Sequence, residues 1–111
     1  MALRIEYEQE ALEDLIAAAR AAREKFGSAA AERLLDRIRD LVELLATQPE
    51  MGRDAAIPTH PRLDQFQFFP LSDFPYLVFF THDDQTLRVY GVVYAAMDLP
   101  RIFRERWIME R

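Results

Sequence analysis

The strongest constraint on this chain is a pair of helix-period segments, spanning residues 8–26 and 29–46, with only Gly27 and Ser28 between them. In the first, Ala11, Leu15, Ala18 and Ala22 form one stripe with Leu12, Ile16 and Ala19 beside it. Glu10, Glu13, Asp14 and Glu24 lie mostly on the opposite side, which is the pattern of an amphipathic helix. In the second, Leu34, Leu35, Ile38, Leu41, Val42 and Leu45 share a face, and Glu32, Arg33, Asp36, Arg37, Asp40 and Glu43 surround the other. Gly27 is a natural stop for the first helix and Ser28 a natural N-cap for the second. So short a link forces the two helices into an antiparallel hairpin, and both stripes then need an apolar surface to cover them.

The rest of the sequence supplies that surface. Residues 3–7 alternate apolar and polar side chains and read as a short strand. Residues 47–63 hold Pro49, Gly52, Pro58 and Pro61 among polar residues and read as an irregular connection. Residues 66–71 form a strand in which Pro70 suits an edge, a strand end or a bulge. Residues 76–81 and 87–95 are two further strands joined by the polar turn His82-Asp-Asp-Gln85. Pro100 suits the first turn of a final helix over 99–107, with Phe103 and Trp107 anchoring it and Arg101 and Arg104 projecting elsewhere. The expected architecture is α+β, a two-helix hairpin packed on a small, mainly antiparallel sheet in the order β-α-α-β-β-β plus a short C-terminal helix. At 111 residues, half of them hydrophobic, residues 1–111 are expected to form a single domain with one modest core.

Composition narrows the chemistry. There is no cysteine, and the two histidines, His60 and His82, cannot build a metal site alone, so neither metal nor cofactor is expected. His82 opens a turn beside Asp83 and Asp84, where adjacent aspartates ordinarily serve the turn itself. No apolar run reaches the ~20 residues of a membrane span and the N-terminus has no secretion-signal layout, so the expected compartment is the cytoplasm with no membrane partner. A net charge of −5 argues against strong direct nucleic-acid binding, which relies on Lys and Arg displacing counterions from phosphates. Lys25 is the sole lysine, and the only basic stretch is the arginine-bearing tail from Arg101 to Arg111. No phosphate loop, dinucleotide fingerprint, paired-histidine motif or nucleophile elbow is present, and no catalytic residue is assigned. The aromatic residues Phe66, Phe68, Phe69, Phe74, Tyr76, Phe79, Phe80, Tyr90 and Tyr94 exceed what one sheet face can bury, and the surplus suits an interface.

Several local patterns occur together in one order: Ala11-Leu-Glu-Asp-Leu-Ile16, Leu44-Leu-Ala-Thr-Gln-Pro49 followed by Met51-Gly-Arg53, Phe68-Phe-Pro-Leu71 leading to Tyr76-Leu-Val-Phe-Phe80, and Val89-Tyr-Gly-Val-Val-Tyr94 leading to Met97-Asp-Leu99. In these the chain resembles ParE, the toxin branch of the RelE/ParE superfamily of bacterial toxin-antitoxin modules, over nearly its whole length. Two departures stand out. Relatives commonly carry a Leu-Arg pair where this chain has Phe66-Gln67, and a His-x-x-Arg-Asp motif where it has Tyr94-Ala-Ala-Met97-Asp98.

The resemblance implies a toxin of a type II module that poisons DNA gyrase without being an enzyme and forms a hetero-oligomer with a ParD-like antitoxin. It directs attention to Gln67, Arg88, Tyr94, Met97, Asp98, Arg101 and Arg104 as a target-facing set. For the antitoxin, Ala17, Ala18, Ala21 and Ala22 on the first helix would permit close approach of a partner helix, and an exposed sheet edge would permit strand addition. Two alternatives stand beside this reading. One is a RelE-like ribosome-dependent messenger-RNA endoribonuclease, for which the missing cations make a poor active site; the other is a non-toxic protein-binding module with a degenerate motif.

Overall fold

A computed structural model of the chain describes residues 2–54, 66–95 and 101. Strand β1 (Arg4–Tyr7) leads into α1 (Gln9–Phe26) and α2 (Ser28–Thr47), then a 3-10 turn (Pro49–Met51) and the two-residue strand β2 (Arg53–Asp54). Strands β3 (Gln67–Pro70), β4 (Tyr76–His82) and β5 (Thr86–Tyr94) complete the described elements. The sheet order is β1-β5-β4-β3-β2, with β1 parallel to β5 and the remaining pairs antiparallel. The hairpin of helices lies on one sheet face, in the two-layer arrangement that the apolar stripes require. The expected final helix lies outside the described residues except for Arg101, which is helical and exposed.

The helix turn is tighter than expected. Gly27, at φ 95° and ψ 173°, is at once the C-cap of α1 and the N-cap of α2, and Ser28 is already the first helical residue. Its N–H donates to the Arg23 carbonyl (2.9 Å) and its own carbonyl accepts from Ala31 N–H (3.3 Å). This backbone region is essentially closed to residues with a Cβ, although a Cβ on Gly27 would meet no neighbouring atom. The demand is thus conformational and not one of space. In the connection expected to be irregular, the 3-10 turn and β2 are ordered because Gly52 lets the chain close on the sheet: a Cβ there would run into the buried ring of Phe80.

Core composition differs between the helices. The buried residues of α1 are all alanines, Ala11, Ala18, Ala19 and Ala22. Those of α2 include Leu34, Ile38, Val42 and Leu45, which meet Val78, Phe80, Leu87, Val89 and Val92 of the sheet. With only methyl groups at its fully buried positions and Leu15 half-buried at the edge of the core, α1 rides close over β5. That position also solves a backbone problem. β1 stops pairing at Tyr7↔Val89, where Glu8 N–H donates to the Val89 carbonyl (2.9 Å), so β5 runs on without a strand on that side. The Asp14 carboxylate of α1 takes over, accepting the Val92 N–H at 2.9 Å. Beside it, the β4–β5 register slips: Phe79 pairs with Gly91 and Phe80 with Val89, leaving Tyr90 as an extra residue. The bulge puts Val89 and Val92 on the core side together and brings Tyr90 edge-on to Phe66, ring centroids 4.8 Å apart.

Substitutions at two positions separate these demands. Asp14→Ala should lower unfolding free energy by about 1–3 kcal/mol by orphaning a buried backbone donor, with Asp14→Asn recovering part of the loss. Gly27→Ala should cost about 1–3 kcal/mol by backbone strain alone. Urea melts of the three variants measure both effects, and an unchanged midpoint for Gly27→Ala would contradict the strain argument.

Candidate functional site

Of the target-facing residues expected from the resemblance, Gln67, Arg88 and Tyr94 lie within the described strands and stand apart from one another. On the sheet face away from the helices, Arg88 donates to Glu6 (2.8 Å) and to Glu8 (2.9 Å), and Arg4 joins the row through Glu6 (3.2 Å) and the Thr86 hydroxyl (3.2 Å). The hydrogen bond to Glu8 is the main reason the Arg88 pKa stands even above its ordinary value, with the charges of Glu6 and Glu8 acting the same way. Arg88 is therefore held by two carboxylates of its own chain. Gln67 pairs with Phe80 and lies beneath the 3-10 turn, half-buried on the helix-facing side. Tyr94 closes β5, about 20 Å along the strand from Arg88, with its ring 5.8 Å from that of Tyr76. Met97, Asp98 and Arg104 lie outside the described residues.

The alanines of α1 divide between core and surface. Ala18 and Ala22 are buried against the sheet side, Ala17 is exposed and Ala21 is half-buried. Ala18 and Ala22 thus serve first to bring α1 down onto β5, while Ala21 and the edge of Ala22 line a groove at the tip of the hairpin. What α1 presents outward is larger. Leu12 (42% exposed), Ile16 (59%) and Leu35 of α2 (39%) line a groove of about 530 Å³ along the outside of the helix hairpin, together with Arg20 and Arg23. Helical spacing alone places these apolar residues in or beside the core-facing stripes. Their excess is visible in the sequence as a band wider than one such stripe, but only packing decides which edge of the band stays uncovered.

A second groove, of about 370 Å³, opens at the tip of the hairpin between Ala21, Phe26, Phe74, Tyr76 and Tyr94. Phe26 is 76% exposed there. Tyr76 has its pKa raised, chiefly by burial and secondarily by Tyr94. Tyr94 and Ala21, expected on separate surfaces, share this groove. His82 is exposed, and Asp83 serves its turn: its carboxylate accepts the N–H groups of Gln85 and Thr86 (both 2.8 Å), which hold its pKa below the ordinary carboxylate value. Among the described residues, the built surfaces are apolar grooves bordered by charge, suited to gripping a protein.

Comparisons with known proteins bear on the family and on the fold. The family model described as the ParE toxin of the type II toxin-antitoxin system, parDE, matches residues 5–99. No curated protein matches the sequence. A solved structure of the chromosomal ParDE toxin-antitoxin system from P. aeruginosa aligns with a TM-score of 0.71 at 16% identity, over 84% of this chain and 96% of that one. The E. coli DinJ-YafQ toxin-antitoxin complex aligns with a TM-score of 0.52 at 14% identity, over 86% and 96%. The isolated E. coli RelE toxin aligns with a TM-score of 0.52 at 19% identity, over 95% and 98%.

Arg88 offers a direct test of its structural engagement. Arg88→Gln should lower stability by about 1 kcal/mol at low ionic strength, because these ion pairs are partly exposed, and most of the difference should vanish at high salt. Thermal melts with increasing NaCl measure this; a loss that salt leaves unchanged would show that charge pairing is not its source.

Proposed function

The chain belongs to the ParE toxin family of type II toxin-antitoxin systems, and from that premise we propose that it poisons DNA gyrase and is silenced by a cognate ParD-like antitoxin in a cytoplasmic hetero-oligomer. The poison acts by stabilising a cleaved gyrase-DNA complex through protein contacts and hydrolyses nothing itself. The observation that carries this choice over ribosome-dependent cleavage is the state of Arg88. Cutting RNA requires cations arranged around a scissile phosphate and a group that activates the ribose hydroxyl. Here Gln67 occupies the place of a family cation, and Arg88 is clamped between Glu6 and Glu8 on the opposite sheet face.

Inhibition by contact makes no such demand. It needs exposed, shaped surface, and Leu12, Ile16, Leu35, Phe26 and Tyr94 supply it. The outer hairpin groove is the right shape for an apolar helix of an antitoxin laid along α1. That docking also explains why a chain carrying its own neutralising partner tolerates so much uncovered apolar surface.

Induced alone, the protein should arrest growth, and purified protein incubated with gyrase, ATP and plasmid should accumulate linear DNA. Primer extension on translating ribosomes should reveal no codon-positioned cuts. Messenger cleavage without gyrase-linked DNA breaks would reassign the chain to RelE-like chemistry, and the absence of both, with normal growth, would identify a non-toxic binding module.

A further inference from the structure

The outer groove of the helix hairpin carries charges that its apolar walls do not require. Arg4, Arg37, Arg39 and Arg88 each sit within 3.5 Å of a carboxylate of this chain. Arg20 and Arg23, which line the groove, form no ion pair with any described residue. In a chain of net charge −5, where acids outnumber cations, two neighbouring arginines thus line the groove without a carboxylate in ion-pair contact among the described residues, although Glu24 follows Arg23 directly and lies one helical turn from Arg20.

Their placement on α1 is not random with respect to the apolar residues. Positions 12, 16, 20 and 23 succeed one another at helical spacings of three and four, so their side chains share one face. Along that face the surface is apolar at Leu12 and Ile16, with Leu35 of α2 beside them, and cationic at Arg20 and Arg23. The run from Leu12 to Arg23 covers about 16 Å, or three helical turns.

From this charge complementarity we infer that Arg20 and Arg23 are the specificity determinants of the groove, selecting an amphipathic partner helix whose apolar anchors are followed, one turn on, by a pair of carboxylates. The inference rests on the reading of the chain as an antitoxin-bound toxin and adds to it the feature that decides which helix is accepted. The apolar residues hold any helix with a suitable stripe. The arginine forks add charge-assisted, bidentate hydrogen bonds to carboxylates, strengthened where neighbouring Ile16 and Leu35 exclude water. A helix with lysines at those positions meets like charge and is rejected.

Three synthetic helical peptides sharing one leucine stripe, and carrying Glu, Gln or Lys at two positions beyond it, test this by titration against the full chain at low and high NaCl. The Glu peptide should bind about tenfold or more tighter than the Gln peptide, as expected for hydrogen bonds to charged groups, and the Lys peptide weakest of all. The order should reverse in the Arg20→Glu/Arg23→Glu variant, checked for its fold by circular dichroism, and high salt should compress it. Equal binding of all three peptides, abolished by Ile16→Asp, would overturn the role of the arginines while leaving the groove as a docking site. Failure of every peptide to bind would overturn the docking site itself, whatever the growth assay shows about toxicity.

Discussion

Everything else in this molecule depends on how closely α1 can lie on β5. Only methyl groups stand between them at Ala11, Ala18 and Ala22. This near approach lets the Asp14 carboxylate reach the backbone of a central strand and replace the hydrogen bond that β1 no longer supplies. The alanines and the half-buried Leu15 occupy the core-facing side of α1, and the large apolar residues Leu12 and Ile16 lie outward of it. The burial that builds the domain and the exposure that equips it for a partner are two faces of one choice of side-chain size.

Charge obeys a similar division of labour. On the far side of the sheet, Arg4, Glu6, Arg88 and Glu8 neutralise one another in a row across β1 and β5. Along the hairpin groove, Arg20 and Arg23 form no ion pair with any described residue. An arginine counted in the sequence is therefore not always a cation available at the surface. The charge a partner meets is set by the pairing register, since Glu6↔Arg88 is a cross-strand pair between residues far apart in the chain.

The helix hairpin and the three-strand meander were legible because each rests on local signals: a 3.6-residue period, a glycine between two stripes, and strands bounded by Pro and Asp. Sequence reasoning missed features that depend on residues meeting across the fold. β2 and the 3-10 turn form in a proline-punctuated stretch because Gly52 accommodates the Phe80 ring. The bulge at Tyr90 changes the face parity of β5, so strict alternation misplaces Val92. The same limit applies to the site. Gln67, Arg88 and Tyr94 look neighbourly as motif positions, yet strand alternation and length distribute them over two faces and opposite ends of the sheet.

The parallel pairing of β1 with β5 also has a consequence in time. Arg4 finds its partner Thr86 only after 82 residues of separation, whereas the helix hairpin closes through a single glycine. During synthesis the hairpin can assemble early from local contacts, but the sheet lacks a partner for its first strand until β5 has been made. The first strand to be translated is thus among the last to be seated, an ordering imposed by loop closure over long sequence distance. The outer hairpin groove is lined wholly by residues of α1 and α2, so every side chain that shapes it has been made before the first residue of β3.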